Sequence, residues 1–157
     1  MTPAVKAAQR AKIHFTLHQY PHHPEAKSYG LEAAEKLGVA PQQVFKTLML
    51  QADGERLMMA LVPVSATLNL KKTARALGVK KLKMAESGLA ERATGFVLGG
   101  ISPLGQKKRH ACVIDQSAKA CSSLYISGGR RGLEIAMSAS DLARLTGATF
   151  ADIASIG

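Results

Sequence analysis

Apolar and polar residues alternate along Ile13-His14-Phe15-Thr16-Leu17-His18, which predicts a half-buried strand ending near Tyr20. Ahead of it, Thr2-Pro3 has the form of a helix start, an N-cap followed by proline at the first helical position. Pro21, His22, His23 and Pro24 read as a loop. Ser28 to Leu37 reads as a second helix, with Glu32 and Glu35 in its early turns and Gly38 as its stop. Val44–Leu50 and Arg56–Val62 are predicted strands, joined across the hairpin signal Asp53-Gly54. A basic helix over Leu68–Leu77 closes at Gly78, followed by a short strand near Lys80–Met84 and a helix near Ser87–Arg92. Four further strands are predicted at Phe96–Leu98, Ala111–Asp115, Leu124–Ser127 and Leu133–Met137. Ser140 is placed as the cap of a last helix, Asp141–Thr146, ending at Gly147.

Strands follow one another as often as they alternate with helices, which predicts an α+β fold with a mixed or antiparallel sheet. The 157 residues suit one domain, 1–157, with no repeat or linker-like stretch to divide it. With 46% hydrophobic and 20% charged residues, wholesale disorder is excluded. No apolar run approaches the ~20 residues of a membrane helix. Lys6, Arg10 and Lys12 interrupt the only signal-peptide-like region, so the expected location is the cytoplasm, with no membrane partner. The formal charge of +10 points toward a polyanion, with nucleic acid the first candidate. Aromatic residues are only 4% and Trp is absent, so such a partner would be held through phosphates and not by stacked bases.

Lys46 is the most informative position. On a period of two it shares a face with Val44, Leu48 and Leu50, where an ammonium is costly unless it meets an anion or a wet cavity. The alternative is a snorkelling edge-strand lysine. Two glycine pairs end strands, in Gly99-Gly100-Ile101-Ser102-Pro103-Leu104-Gly105 and in Ser127-Gly128-Gly129-Arg130-Arg131-Gly132. Such loops bring main-chain N–H groups close to a ligand, or simply make hairpin turns. Glu134 is a second charge inside an apolar strand, or an ordinary outward-facing residue. Basic residues cluster at Lys71, Lys72, Arg75, Lys80, Lys81 and Lys83, at Lys107, Lys108 and Arg109, and at Arg130 and Arg131. They form a phosphate-tracking surface or a solvated face. His14, His18, His22 and His23 lack the supporting ligands of a metal site, and Cys112 and Cys121 are too few and too far apart for zinc. Cys112 reads as a small core residue, with a catalytic thiol the lesser alternative.

The segments Val44-Phe45-Lys46-Thr47-Leu48, Asn69-Leu70-Lys71-Lys72, Thr94 to Arg109 and Ser127 to Leu133 resemble the YbaK family of Cys-tRNA(Pro) deacylases. The similarity runs from Thr2-Pro3-Ala4-Val5 to Phe150-Ala151-Asp152-Ile153. The resemblance implies a bent mixed sheet, partly barrel-like, with helices around it. It also implies a freestanding editing factor that removes cysteine from mischarged Cys-tRNA(Pro), with Cys-tRNA(Cys) a further candidate, in partnership with prolyl-tRNA synthetase. Lys46 is then the family's functional lysine, with Thr47, Gly99 and Gly100 as its catalytic companions. Tyr20, Tyr29, Ile101, Ser127, Gly129 and Glu134 become substrate contacts. Lys71, Lys72, Arg75, Lys107, Lys108, Arg130 and Arg131 become tRNA contacts. Tyr29 stands where relatives often have Phe, and Glu134 where some have Asp. In the family mechanism the thiol of the attached cysteine attacks its own ester, so neither cofactor nor metal is implied. A non-catalytic module that binds tRNA or the synthetase is the alternative function, and a hydrolase with an orthodox nucleophile is a third.

Overall fold

The computed structural model describes residues 1–26 and 28–155. Helix α1 (Pro3–Arg10) starts as expected, with Thr2 Oγ1 accepting from Val5 N–H at 3.1 Å. Strand β1 (Phe15–Gln19) leads to α2 (Tyr29–Leu37), capped by Ser28 and closed by Gly38 in the left-handed region at φ +69°. The hairpin β2 (Phe45–Gln51) and β3 (Leu57–Pro63) follows. After it come β4 (Thr67–Leu68), α3 (Leu70–Leu77), β5 (Lys83–Met84) and α4 (Ser87–Thr94). The second half holds β6 (Ala111–Asp115), β7 (Leu124–Ser127), β8 (Leu133–Met137), α5 (Ala139–Thr146), β9 (Thr149–Ala151) and β10 (Ala154–Ser155).

A five-stranded mixed sheet has the order β5-β2-β3-β6-β9, in which β3–β6 and β6–β9 run parallel. A three-stranded antiparallel sheet has the order β1-β8-β7, and β4 pairs with β10. The two larger sheets touch at one bridge, Val44 with Tyr125, and none of the sheets closes on itself. The main core gathers α1, α5, the inward side chains of β7 and β8, and one face of β2, β3 and β6. On the other face of the large sheet, Leu50, Ala60, Val62 and Val113 pack with Ile153, against Leu70 and Leu77 of α3. Burial on both faces explains why β3 is a nearly unbroken apolar run.

Several expectations change. Phe96–Leu98 is not a strand: it leaves α4 through Gly95 (φ +85°), and Val97 C=O accepts from Gly100 N–H at 2.9 Å. Only Phe96 enters the core, while Val97 and Leu98 stay exposed. The cap of α5 is Ser138, not Ser140, because Ser138 has the extended backbone that aims its hydroxyl at Asp141 N–H. Asn69 caps α3, and Leu68 belongs to β4. Strands β9 and β10 were not legible, being three and two residues long. Among the described residues no helix is long and apolar enough to cross a membrane.

Candidate functional site

Strand β2 is paired along its whole length on the β3 side but only at its ends on the other. There β5 takes Leu50 and Gln51, and β7 reaches only Val44. Among the described residues no strand pairs with Lys46–Leu48 on that edge, and a cavity of about 290 Å³ lies against it. Its walls are β2, the N-terminal turn of α2, the first glycine loop and the β7–β8 hairpin. Lys46, Thr47, Tyr20, Tyr29, Gly99, Ile101, Ser127 and Glu134 all line it. The chain separates Tyr20 from Glu134 by more than a hundred residues; pairing of β1 with β8 brings them together, and the bridge from β7 to Val44 sets both beside β2.

Lys46 is half-buried between two apolar clusters and forms no ion pair among the described residues. Burial pulls its ammonium below the ordinary lysine value. Glu134 is 7% exposed, which excludes the outward-facing reading. It sits on β8, the central strand of its sheet, opposite His18 on one side and Ser127 on the other. Burial pushes its carboxyl up to about 8, so it carries a proton at neutral pH. Burial, together with the neighbouring carboxyls of Glu134 and Glu32, pushes the Tyr20 phenol up to about 12. The Thr47 hydroxyl is buried and has no hydrogen-bond partner among the described residues. Among the described residues, a cation without a counter-ion and a neutral acid thus line one small chamber, with an unpartnered hydroxyl buried in its wall, an arrangement suited to a polar ligand.

The glycine loops serve the cavity differently. Gly99 has φ +86°, and a Cβ there would lie 2.5 Å from the Tyr29 ring and 2.7 Å from Arg131 Nε. Gly100 is packed behind the lining: its N–H is engaged by Val97, and a Cβ would lie 2.8 Å from Arg130 Cα. Gly129 also lies behind, against Phe96 and Thr2, with its N–H donated to Ser127 Oγ at 3.1 Å. Leu98 and Gly30 also line the wall. Neither carries a sequence signal of its own beyond adjacency to Gly99 and Tyr29. Nothing in the sequence marks the Glu32–His22 pair either: His22 Nδ1 lies 2.7 Å from Glu32 Oε1, and His23 N–H donates to Glu32 Oε2 at 2.7 Å. Burial raises the Glu32 carboxyl, but these hydrogen bonds and the charges of His22 and Lys36 together outweigh it and hold the group below its usual value.

The basic clusters lie outside the cavity. Lys71, Arg75, Lys107, Lys108 and Arg130 are exposed. Lys72 instead reaches Asp152 Oδ2 at 3.0 Å. Arg131 donates to the Leu98 carbonyl and lies over the Tyr29 ring. The histidines are dispersed: His18 meets Thr16, and His23 accepts from Glu25 N–H. Cys112 is buried, with its thiol pushed up to about 12, and burial raises Cys121 as well, so neither is a ready thiolate.

The sequence model of the aminoacyl-tRNA editing domain matches residues 23–145. An Enterococcus faecalis protein, EbsC, named as a candidate Cys-tRNA(Pro)/Cys-tRNA(Cys) deacylase, is 31% identical over 155 residues, covering 97% of this chain and 92% of its own. A proline–tRNA ligase of Geobacter metallireducens is 33% identical over 102 residues, 65% of this chain and 17% of the ligase. A crystal structure described as a candidate trans-editing enzyme for prolyl tRNA synthetase superimposes with a TM-score of 0.86 at 23% identity, over 98% of this chain and 95% of that one. Apart from Tyr20, every residue that lines the open-edged cavity beside Lys46 falls within the matched segment, and the chain belongs to the aminoacyl-tRNA editing domain family.

Proposed function

We propose that this protein is a trans-editing deacylase that removes cysteine from Cys-tRNA(Pro), acting beside prolyl-tRNA synthetase. The observation that carries the reading is the content of the cavity: among the described residues, an unpaired half-buried lysine with no thiolate, histidine or serine–base pair in the lining. Lys46 supplies a positive charge to the ribose or phosphate of the terminal nucleotide. Glu134 and Tyr20, both protonated, offer O–H donors, and the Thr47 hydroxyl, buried in the wall, has no hydrogen-bond partner among the described residues. The name of the Enterococcus relative supports cysteine as the amino acid and tRNA(Pro) or tRNA(Cys) as its carrier.

A site of this kind works through the substrate. The thiol of the attached cysteine adds to its own ester carbonyl, forming a C–S bond as the bond to the ribose oxygen breaks. The thiol proton ends on that oxygen, tRNA leaves, and water opens the cyclic thiolactone to cysteine. The protein contributes orientation and electrostatic stabilisation of the carbonyl oxygen. Selectivity then follows from nucleophilicity, since a pocket separates isosteres such as cysteine and serine by only ~1–3 kcal/mol.

The test is release of amino acid by the purified protein from Cys-tRNA(Pro), with Pro-tRNA(Pro), Ser-tRNA and S-methylated Cys-tRNA alongside. Only the free thiol ester should be cleaved rapidly, with thiolactone trapped before cysteine. Similar cleavage of the S-methylated ester means that water or a protein group attacks. Binding without release of any amino acid means a non-catalytic module.

A further inference from the structure

We infer that Arg131 is a positioning residue that holds the wall of the cavity, and not the phosphate contact that its place in a basic loop suggests. Its guanidinium donates twice to one acceptor, the Leu98 carbonyl, from Nε at 3.0 Å and from Nη2 at 2.6 Å. The same group lies over the Tyr29 ring, 4.4 Å from the centroid. Leu98 and Tyr29 line the cavity and Arg131 does not, so it acts through them. Arginine suits this position because its planar fork presents parallel donors and a flat face together; a lysine ammonium offers only a point charge.

The neighbouring residues are shaped around this contact. Gly99 lacks the side chain that would collide with both the Tyr29 ring and Arg131 Nε, and its φ of +86° turns the loop beneath them. On α2, Tyr29 also packs on the His22 ring, with centroids 5.6 Å apart, and Glu32 fixes His22. A chain of contacts from Glu32 through His22, Tyr29 and Arg131 to the Leu98 carbonyl therefore joins the loop after β1, helix α2 and both glycine loops around the cavity. Arg130, the adjacent residue, differs: it is exposed and makes no ion pair among the described residues. Two successive arginines thus divide, one facing solvent and one clasping the loop.

The inference rests on the deacylase reading only for its kinetic arm. Arg131→Ala, Arg131→Lys and Arg130→Ala are compared by deacylation kinetics, by the salt dependence of uncharged tRNA binding, and by amide hydrogen exchange over residues 96–100. Arg131→Ala should lower kcat by about tenfold or more with KM and the salt slope unchanged, since misplaced walls disturb orientation more than capture. Exchange over residues 96–100 should quicken, and Arg131→Lys should recover part of the loss. Arg130→Ala should instead lower the salt slope by about one unit. Should Arg131→Ala not fold, Tyr29→Leu removes the ring from beneath the guanidinium and should give the same kcat loss and faster exchange. A reduced salt slope with unchanged kcat and exchange in the Arg131 variants makes Arg131 a phosphate contact and overturns the inference. If the wild type releases no cysteine, the deacylase reading fails separately, and exchange and salt slope still decide the role of Arg131.

Discussion

Lys46 forms no ion pair among the described residues, so removing its charge strands no partner. Lys46→Ala should therefore abolish nearly all deacylation while leaving the thermal midpoint unchanged or higher; a variant that unfolds, or one with normal turnover, would take Lys46 out of the site. Glu134 makes the opposite kind of prediction. Its carboxyl is raised from 4.5 to about 8, so between those values the folded state holds a proton that the unfolded chain releases. The contribution is full below about pH 4.5 and is lost as pH rises toward 8, so stability should fall across that window by up to about 1.4 kcal/mol per pH unit. Glu134→Gln, permanently neutral, should flatten that slope in denaturant titrations at several pH values. An unchanged slope would mean that Glu134 is ionised in the fold. The sequence marks both residues as charges within apolar strands, but their burial cannot be read there. Strand periodicity gives two faces and does not say which is covered.

At the level of elements, the first glycine loop sits where a strand was expected. Phe96-Val97-Leu98 has strand-like residues, yet Gly95 at one end and Gly99 at the other both adopt positive φ, and among the described residues no strand pairs with the segment. Gly99→Ala should lose most activity, because a Cβ meets Tyr29 and Arg131 in addition to the left-handed strain of ~1–2 kcal/mol. Gly78→Ala, at the C-terminus of α3 with φ +73° and open space around it, should show the strain in stability and keep its turnover. Equal activity losses in the two would remove the steric argument for Gly99. The α-helix ends that the sequence marks lie within two residues of those observed, because caps and left-handed glycines are local signals, as Thr2, Ser28, Gly38, Gly78 and Gly147 show. The cap of α5 lies two residues from its expected place because Ser138 and Ser140 are chemically alike and differ only in backbone conformation.

Across the whole molecule, the charge of +10 predicts tRNA capture that weakens steeply with salt. Charge reversal at Lys71 and Arg75, or at Lys107 and Lys108, should lower the salt slope by about one unit for each phosphate no longer neutralised. Lys72, paired with Asp152, should contribute less. Affinity that is flat with ionic strength would make these clusters a solvated face and leave delivery of tRNA to the synthetase. The sequence by itself determined the α+β class, most helices and strands, the basic character, and the segments by which the chain resembles its family. These depend on local periodicity, on capping chemistry and on motifs contiguous in the chain. Only the tertiary structure decided that β2 keeps an open edge at Lys46 and that Glu134 lies buried in the wall of the same cavity. It also decided that Gly100 and Gly129 support the wall from behind, and that Arg131 turns inward while Arg130 does not. Each of these depends on which strands and loops meet across long separations, and pairing between distant segments leaves no mark in the residues of either one alone.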